Sequence, residues 1–175
     1  IANNANLGLF NVQNNATLNG SGTLLNNGTI SVNAGASSSF FNCNSGTLVM
    51  TGTGHVILTT SGAGTAFLAQ SGNAMDIGPS ITVRGEGNIA GNNGAIVNRG
   101  VINANVNGRA IFVDPVATAN GFVNNNLMTA TNGGVLQFTG QFGGGVTNNG
   151  TISAGTASLV QLINSVGISG GTFAT

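Results

Sequence analysis

The feature that most constrains this chain is a short cassette that returns along it. Asn26-Asn27-Gly28-Thr29-Ile30-Ser31-Val32 recurs as Asn98-Arg99-Gly100-Val101-Ile102-Asn103-Ala104, as Asn124-Asn125-Asn126-Leu127-Met128-Thr129-Ala130 and as Asn148-Asn149-Gly150-Thr151-Ile152-Ser153-Ala154. A weaker fifth copy begins at Asn44, with Gly46 in the third position. Self-similarity at a spacing of a few tens of residues is the signature of stacked repeats. The match runs on past the cassette: fourteen residues after each leading Asn stand Phe40, Leu58, Phe112, Phe138 and Leu162. Strict alternation, as in Val135-Leu136-Gln137-Phe138, is the pattern of a strand with one buried face. Each repeat therefore reads as strand, bend and second strand. Equivalent positions stack about 4.8 Å apart, so those five residues are expected to form one core ladder.

The fold class that follows is all-β: a parallel β-solenoid forming one domain over residues 1–175. At ~24 residues per coil it makes roughly seven coils and rises ~35 Å. Thirty glycines argue against any long helix. The third cassette position is Gly28, Gly46, Gly100 or Gly150, with Asn126 as the exception. Asn is the non-glycine residue that best tolerates a left-handed backbone, so a positive φ is expected at this corner. The leading Asn26, Asn44, Asn98, Asn124 and Asn148 are expected to stack as amide ladders. A second corner is expected where Gly-x-Gly recurs, at Gly20-Ser21-Gly22, Gly52-Thr53-Gly54 and Gly85-Glu86-Gly87. The layout between residues 59 and 97, where the cassette fades, stays open.

Charge narrows the function classes. Only 3% of residues are charged, lysine is absent, and net charge is zero. All six charges, Asp76, Arg84, Glu86, Arg99, Arg109 and Asp114, fall in one window, which makes it the candidate for a lateral contact or ligand patch. There is no basic footprint and neither Trp nor Tyr, so nucleic acid is not an expected partner. Near-zero net charge favours self-association. The longest apolar runs fall far short of a membrane span. Opening on Ile1 rather than Met suggests that a leader or precursor segment has been removed.

No catalytic, metal or cofactor constellation emerges, so the chain is expected not to be an enzyme. Asp76, Glu86 and Asp114 are the only carboxylates available for glycoside chemistry, and a local Arg84–Glu86 ion pair is the simpler reading. His55 stands without Cys or acid nearby and reads as a polar corner residue. The Gly-x-Gly corners lack the spacing of a dinucleotide fingerprint. Two aspartates are too few for a calcium-binding nonapeptide array. Asn-x-Thr/Ser matches such as Asn27-Gly28-Thr29 coincide with corners. Without lysine, Lys–Asn isopeptide links within the chain are excluded. Thr-x-Thr pairs do not recur on every coil, as an ice-binding array would need. Cys43, flanked by Phe40-Phe41-Asn42 and Asn44, reads as a small buried hydrophobe.

The repeated Asn-Asn-Gly-Thr-Ile-Ser-Ala cassettes, Gly-x-Gly corners and scarcity of charge resemble bacterial autotransporter passengers and filamentous-haemagglutinin-like surface proteins. The resemblance covers most of the chain. It implies a right-handed parallel β-helix, secretion to the bacterial surface, and work in adhesion or extracellular structure. Family members often carry caps at the solenoid ends; here Leu7, Leu9, Phe10 and Val12 at the front and Val166, Ile168 and Phe173 at the back look like uncapped core strands without charge. Uncovered edges recruit strands. The expected partner is thus the chain itself, head to tail in a filament, or flanking solenoid repeats. The alternative is an adhesin stalk whose Asn/Thr/Ser faces touch carbohydrate or a cell surface.

Overall fold

The computed structural model describes residues 2–69, 73–90, 94–117 and 121–175. Every regular element among them is a strand. The strands of successive coils pair in parallel, with one isolated antiparallel bridge between Val116 and Gly143 among the described residues, and the coils stack as a β-solenoid.

Three walls enclose the core. One is an eight-stranded sheet with one strand per coil: Leu9–Val12, Thr29–Ala34, His55–Thr60, Thr82–Gly85, Val101–Ala104, Leu127–Ala130, Thr151–Ala154 and Thr172–Ala174. Eight strands mark seven coil-to-coil steps. Their starts show that a coil takes between 19 residues (82 to 101) and 27 residues (55 to 82). The other two walls belong to a thirteen-stranded sheet. The long strands Thr17–Asn26 and Ser39–Thr51 run through both of these walls, and later coils divide them into separate strands. The first wall continues with Ala66–Leu68, Gly87–Ile89, Ala110–Val113, Val135–Thr139 and Leu159–Ile163. The second continues with Ala74–Ile77, Ala95–Asn98, Phe122–Asn124, Gly145–Asn148 and Gly167–Ser169. The layout between 59 and 97 follows the same three walls, residues 70–72 and 91–93 lying outside the described residues.

Alternation fills the interior, because successive side chains on a strand point to opposite faces. On the eight-stranded wall Phe10, Ile30, Val56, Val83, Ile102, Met128, Ile152 and Phe173 stack in one inner row. Ile30 through Ile152 in this row are at most 1% exposed. The first wall adds Leu18, Phe41, Leu68, Ile89, Val113, Phe138 and Leu162. Like-sized apolar residues therefore meet at the coil repeat, and most of the core is assembled from contacts distant in sequence.

The expected core ladder is corrected by this register. Phe138 and Leu162 do share a row, but Phe112 pairs with Gln137, one position short of it. A slip of one residue turns a side chain to the other face: Phe112 is 37% exposed and Phe40 is half-buried, whereas Phe41 is fully buried. Leu58 belongs to a different wall, where it pairs with Gly85. The cause is corner length, which varies from coil to coil. The fifth cassette copy misleads for a related reason. Thr47 begins the second-wall half of its strand and pairs with Ala74, so the copy at Asn44 sits at another corner.

The corners also differ from expectation. Gly28, Gly100, Gly150 and Asn126 do not have positive φ; of the third cassette positions only Gly46 does, at 59°. Glycine is needed there because a Cβ on Gly28, Gly100 or Gly150 would overlap the backbone oxygens of Gly8, Ile81 or Asn126 in the coil below. Left-handed residues occur instead at the corner leading into the first wall, such as Asn15 (63°), Asn132 (55°) and Ala157 (59°), and at the corner leaving it, such as Ala69 (55°), Ala90 (63°) and Asn164 (52°). The Gly-x-Gly motifs are three different corners. Gly20–Gly22 bends the strand Thr17–Asn26, Gly52–Gly54 leads into the eight-stranded wall, and Gly85–Gly87 leads out of it.

Candidate functional site

Three groups of residues carry the functional expectations: the asparagine corner, the coil ends and the charged window.

At the asparagine corner the cassette places a side chain directly over its counterpart. Asn6 Nδ2 donates to Asn26 Oδ1 (2.8 Å), Asn98 Nδ2 to Asn124 Oδ1 (2.7 Å), and Asn124 Nδ2 to Asn148 Oδ1 (2.7 Å). Asn26, Asn98, Asn124 and Asn148 are completely buried. Each amide has further partners. Asn98 Nδ2 also donates to Leu127 O, and Asn98 Oδ1 accepts the Gly100 N–H two residues on. Asn26 Nδ2 reaches the backbone oxygen of His55, an exposed residue at the corner. Buried amides satisfied in this way specify a register, since any slip would strand them in an apolar interior. The row has two segments. Leu24, Met50 and Ile77 occupy the positions in register with Asn98, so the Asn98–Asn124–Asn148 row is separated from the Asn6–Asn26 pair by apolar coils. Asn44 takes no place in either segment and is exposed.

Of the expected assembly residues at the coil ends, Leu7 (74%), Leu9 (66%), Phe10 (42%) and Phe173 (56%) are exposed, and Val166 and Ile168 are half-buried. Val12 differs: it pairs with Val32 and is 3% exposed. Leu159 and Leu162 on the last coil are also about half exposed, at 48% and 49%. The inner rows thus reach both coil ends with apolar side chains still open.

The charged window is spread over all three walls. Asp76 and Arg99 form a paired contact on the second wall, with Arg99 Nε 3.1 Å from both Asp76 oxygens and Nη2 3.0 Å from Oδ2. The Asp76 carboxylate raises the Arg99 pKa further, and with Arg99 in solvent the pair contributes little to stability. Glu86 does not pair with Arg84 as expected. Its Oε2 lies 3.4 Å from Arg109 Nε in the next coil, and its Oε1 accepts the Thr60 N–H. Arg84 and Glu86 are two residues apart across the Gly85–Gly87 corner, and that corner turns them to different walls. Asp114 is 5% exposed; its Oδ1 has no hydrogen-bond partner among the described residues. Burial pushes the carboxyl pKa up, opposed by backbone N–H groups of Phe142 and Gln141. No cluster of three or more metal-ligating side chains occurs among the described residues. Cys43 is buried, and its thiol faces the backbone oxygens of Ser45 and Gly46.

Sequence reasoning singled out Asn26, Asn98, Asn124 and Asn148 and the charged window, but wrongly included Asn44 and passed over Asn6. It missed the buried, unpartnered Asp114 oxygen, for which Asp114-Pro115 offers no local signal. Compared with family models, curated proteins and solved structures, the chain gave no match.

Proposed function

We propose that this chain is an extracellular structural protein, a solenoid segment of a surface fibre whose coil ends stack on further coils along the axis. The observation that carries the reading is the inner row of the eight-stranded wall. It begins at Phe10 and ends at Phe173, and these two aromatics remain 42% and 56% exposed while the row between them is closed to water. Burying one such side chain is worth roughly 1.5–3 kcal/mol, and the strands beside them offer unpaired backbone groups to a further coil. With net charge zero, no long-range repulsion opposes end-to-end approach. A contact of this kind whose rotation does not close gives an open fibre. The extracellular setting rests on the cassette resemblance and on a surface dominated by Asn, Thr and Ser.

Electron microscopy of the isolated protein at neutral pH and moderate salt tests the reading. Unbranched fibres with an axial repeat of about 38 Å, eight stacked strands at 4.8 Å, support stacking of one copy on the next. Their loss in Phe173→Asp would place the contact at the coil end. Short monomeric rods at all concentrations sink self-assembly and leave stacking within a longer polypeptide.

A further inference from the structure

Beside the strands Gly87–Ile89 and Ala110–Val113 the first wall carries an open groove of about 360 Å³. Its lining includes Glu86, Asn88, Arg109, Phe112, Asp114 and Gln141. Asn88 and Phe112 are neighbours in the outward row, paired in register. Phe112 presents an aromatic surface that the core does not use. Arg109 leans over Glu86 at one end, and Asp114 closes the other end.

The chemistry of this lining selects its occupant. An anion would meet two carboxylates with one guanidinium already engaged. A metal ion would find Asp114 as its one uncommitted carboxylate, with an arginine close by. A peptide adding a strand needs a free sheet edge; this surface is the outer face of a sheet whose backbone groups are paired on both sides. An uncharged polyhydroxyl ligand meets none of these objections. Its hydroxyls both donate and accept, suiting a carboxyl, two amides and an arginine, while its C–H face can lie on the Phe112 ring. The unpartnered Asp114 oxygen is an acceptor whose burial without a partner is unfavourable, and the soft last torsion of aspartate lets it turn to meet a donor.

We propose that this groove is a saccharide-binding site, with Phe112 as the stacking platform and Asp114, Asn88 and Gln141 as the hydrogen-bonding groups. The site binds without cleaving. Glu86 precedes Gly87, the partner of Ile111, so Glu86 and Asp114 sit four strand positions apart. The Glu86 carboxylate is committed to Arg109 and the Thr60 N–H, so the two carboxyls do not form a facing pair for glycoside hydrolysis. The outward row continues along the axis with aromatic edges and amides. Phe40 and Phe67, in register with Asn88 and Phe112, stack with ring centroids 5.1 Å apart, and Gln137 and Gln161 continue the row. A chain of sugar rings lying parallel to the solenoid axis would meet one of these residues per coil. The proposal does not depend on axial stacking, since monomeric rods would retain the groove.

Titration calorimetry with maltohexaose, cellohexaose, chitohexaose and mannohexaose, alongside amide-shift mapping of the unsubstituted protein, tests the site. Binding of at least one of them with Kd near or below about 1 mM, with shifts at Gln141 and Phe142, is expected. Phe112→Ala and Asp114→Asn should each weaken that binding about tenfold, the 1.4 kcal/mol of one good contact. Ser31→Ala, on the eight-stranded wall, should leave it unchanged. The proposal is overturned if none of the four binds, or if the shifts map elsewhere. It is overturned as well if calcium chloride alone binds and Asp114→Asn abolishes that binding while no saccharide binds.

Discussion

Asn124 donates through Nδ2 to Oδ1 of Asn148 at 2.7 Å, one coil further along the axis, with both side chains wholly buried. Asn124 Oδ1 in turn accepts from Asn98 Nδ2 at 2.7 Å and from the Asn126 N–H. The row is directional, each donor facing the next coil. Asn124→Ala removes bonds to both neighbours and should cost roughly 2–4 kcal/mol, since a buried polar group that loses its partner retains the penalty of desolvation. Asn124→Asp should cost more, because an acceptor then faces Asn148 Oδ1 and Thr151 O without a proton to share. Asn44→Ala, exposed and outside the row, should stay within about 0.5 kcal/mol. Urea unfolding of the three variants decides the matter; equal losses for Asn44 and Asn124 would deny the row its role.

Gly150 and Gly46 look alike in the cassette and should respond differently. At Gly150 a Cβ would collide with the Asn126 backbone in the coil below, and backbone on both sides is fixed by the sheet. Gly150→Ala should therefore force the last coils apart and cost more than about 3 kcal/mol, the range reserved for severe overpacking. Gly46 has open space around its Cβ position and a φ of 59°. Gly46→Ala incurs only the left-handed conformation, about 1–2 kcal/mol, and Gly46→Asn less. Protease sensitivity near residue 150 should rise in Gly150→Ala alone.

Phe138 and Phe112 test the wall's inward and outward faces. Phe138→Ala empties a site with no exposure and should cost about 3–5 kcal/mol. Phe112→Ala, in the neighbouring coil and 37% exposed, should cost about 1 kcal/mol or less. Comparable melting temperatures for the two variants would contradict the register between these strands.

The solenoid was legible because its cassette obeys two rules at once. An asparagine that stacks on itself and a glycine that must lack a Cβ recur together, and the strand after them alternates strictly, as in Thr29–Ala34. The walls were harder to read. Periodicity reports distance along the chain, whereas facing depends on the parity of every corner crossed. The true partner of Phe138 is Val113, fifteen residues after Asn98 where Phe138 is fourteen after Asn124, and that one extra residue reversed the reading of Phe112. The positive-φ expectation failed for a similar reason. Glycine at Gly100 answers a neighbour 19 residues back, Ile81, and a local motif carries no mark of that contact. The charged window was visible in the sequence, but its sorting into an exposed Asp76–Arg99 pair and a buried Asp114 depends on which wall each strand joins.

Asp114 links the groove to pH. Its folded pKa stands above the ordinary carboxyl value because burial disfavours the charged form. The folded protein therefore holds this proton over a range where the unfolded chain has released it. The stabilisation is complete below the unfolded value, near 3.9, and is lost as pH rises through the higher folded value. Glu86 and Arg109 line the same groove; the guanidinium would favour the ionised form but lies against Glu86. Asp114→Asn keeps the shape, removes the charge and can still accept the backbone N–H bonds of Gln141 and Phe142. It should be more stable than the native protein at pH 7, because it removes the charge that burial disfavours, and the advantage should shrink towards pH 3. Thermal melts of both proteins from pH 3 to 7 give the difference directly, since every other carboxylate is common to the two. A difference that stays constant, or that grows on acidification, would show that burial of Asp114 does not control its proton.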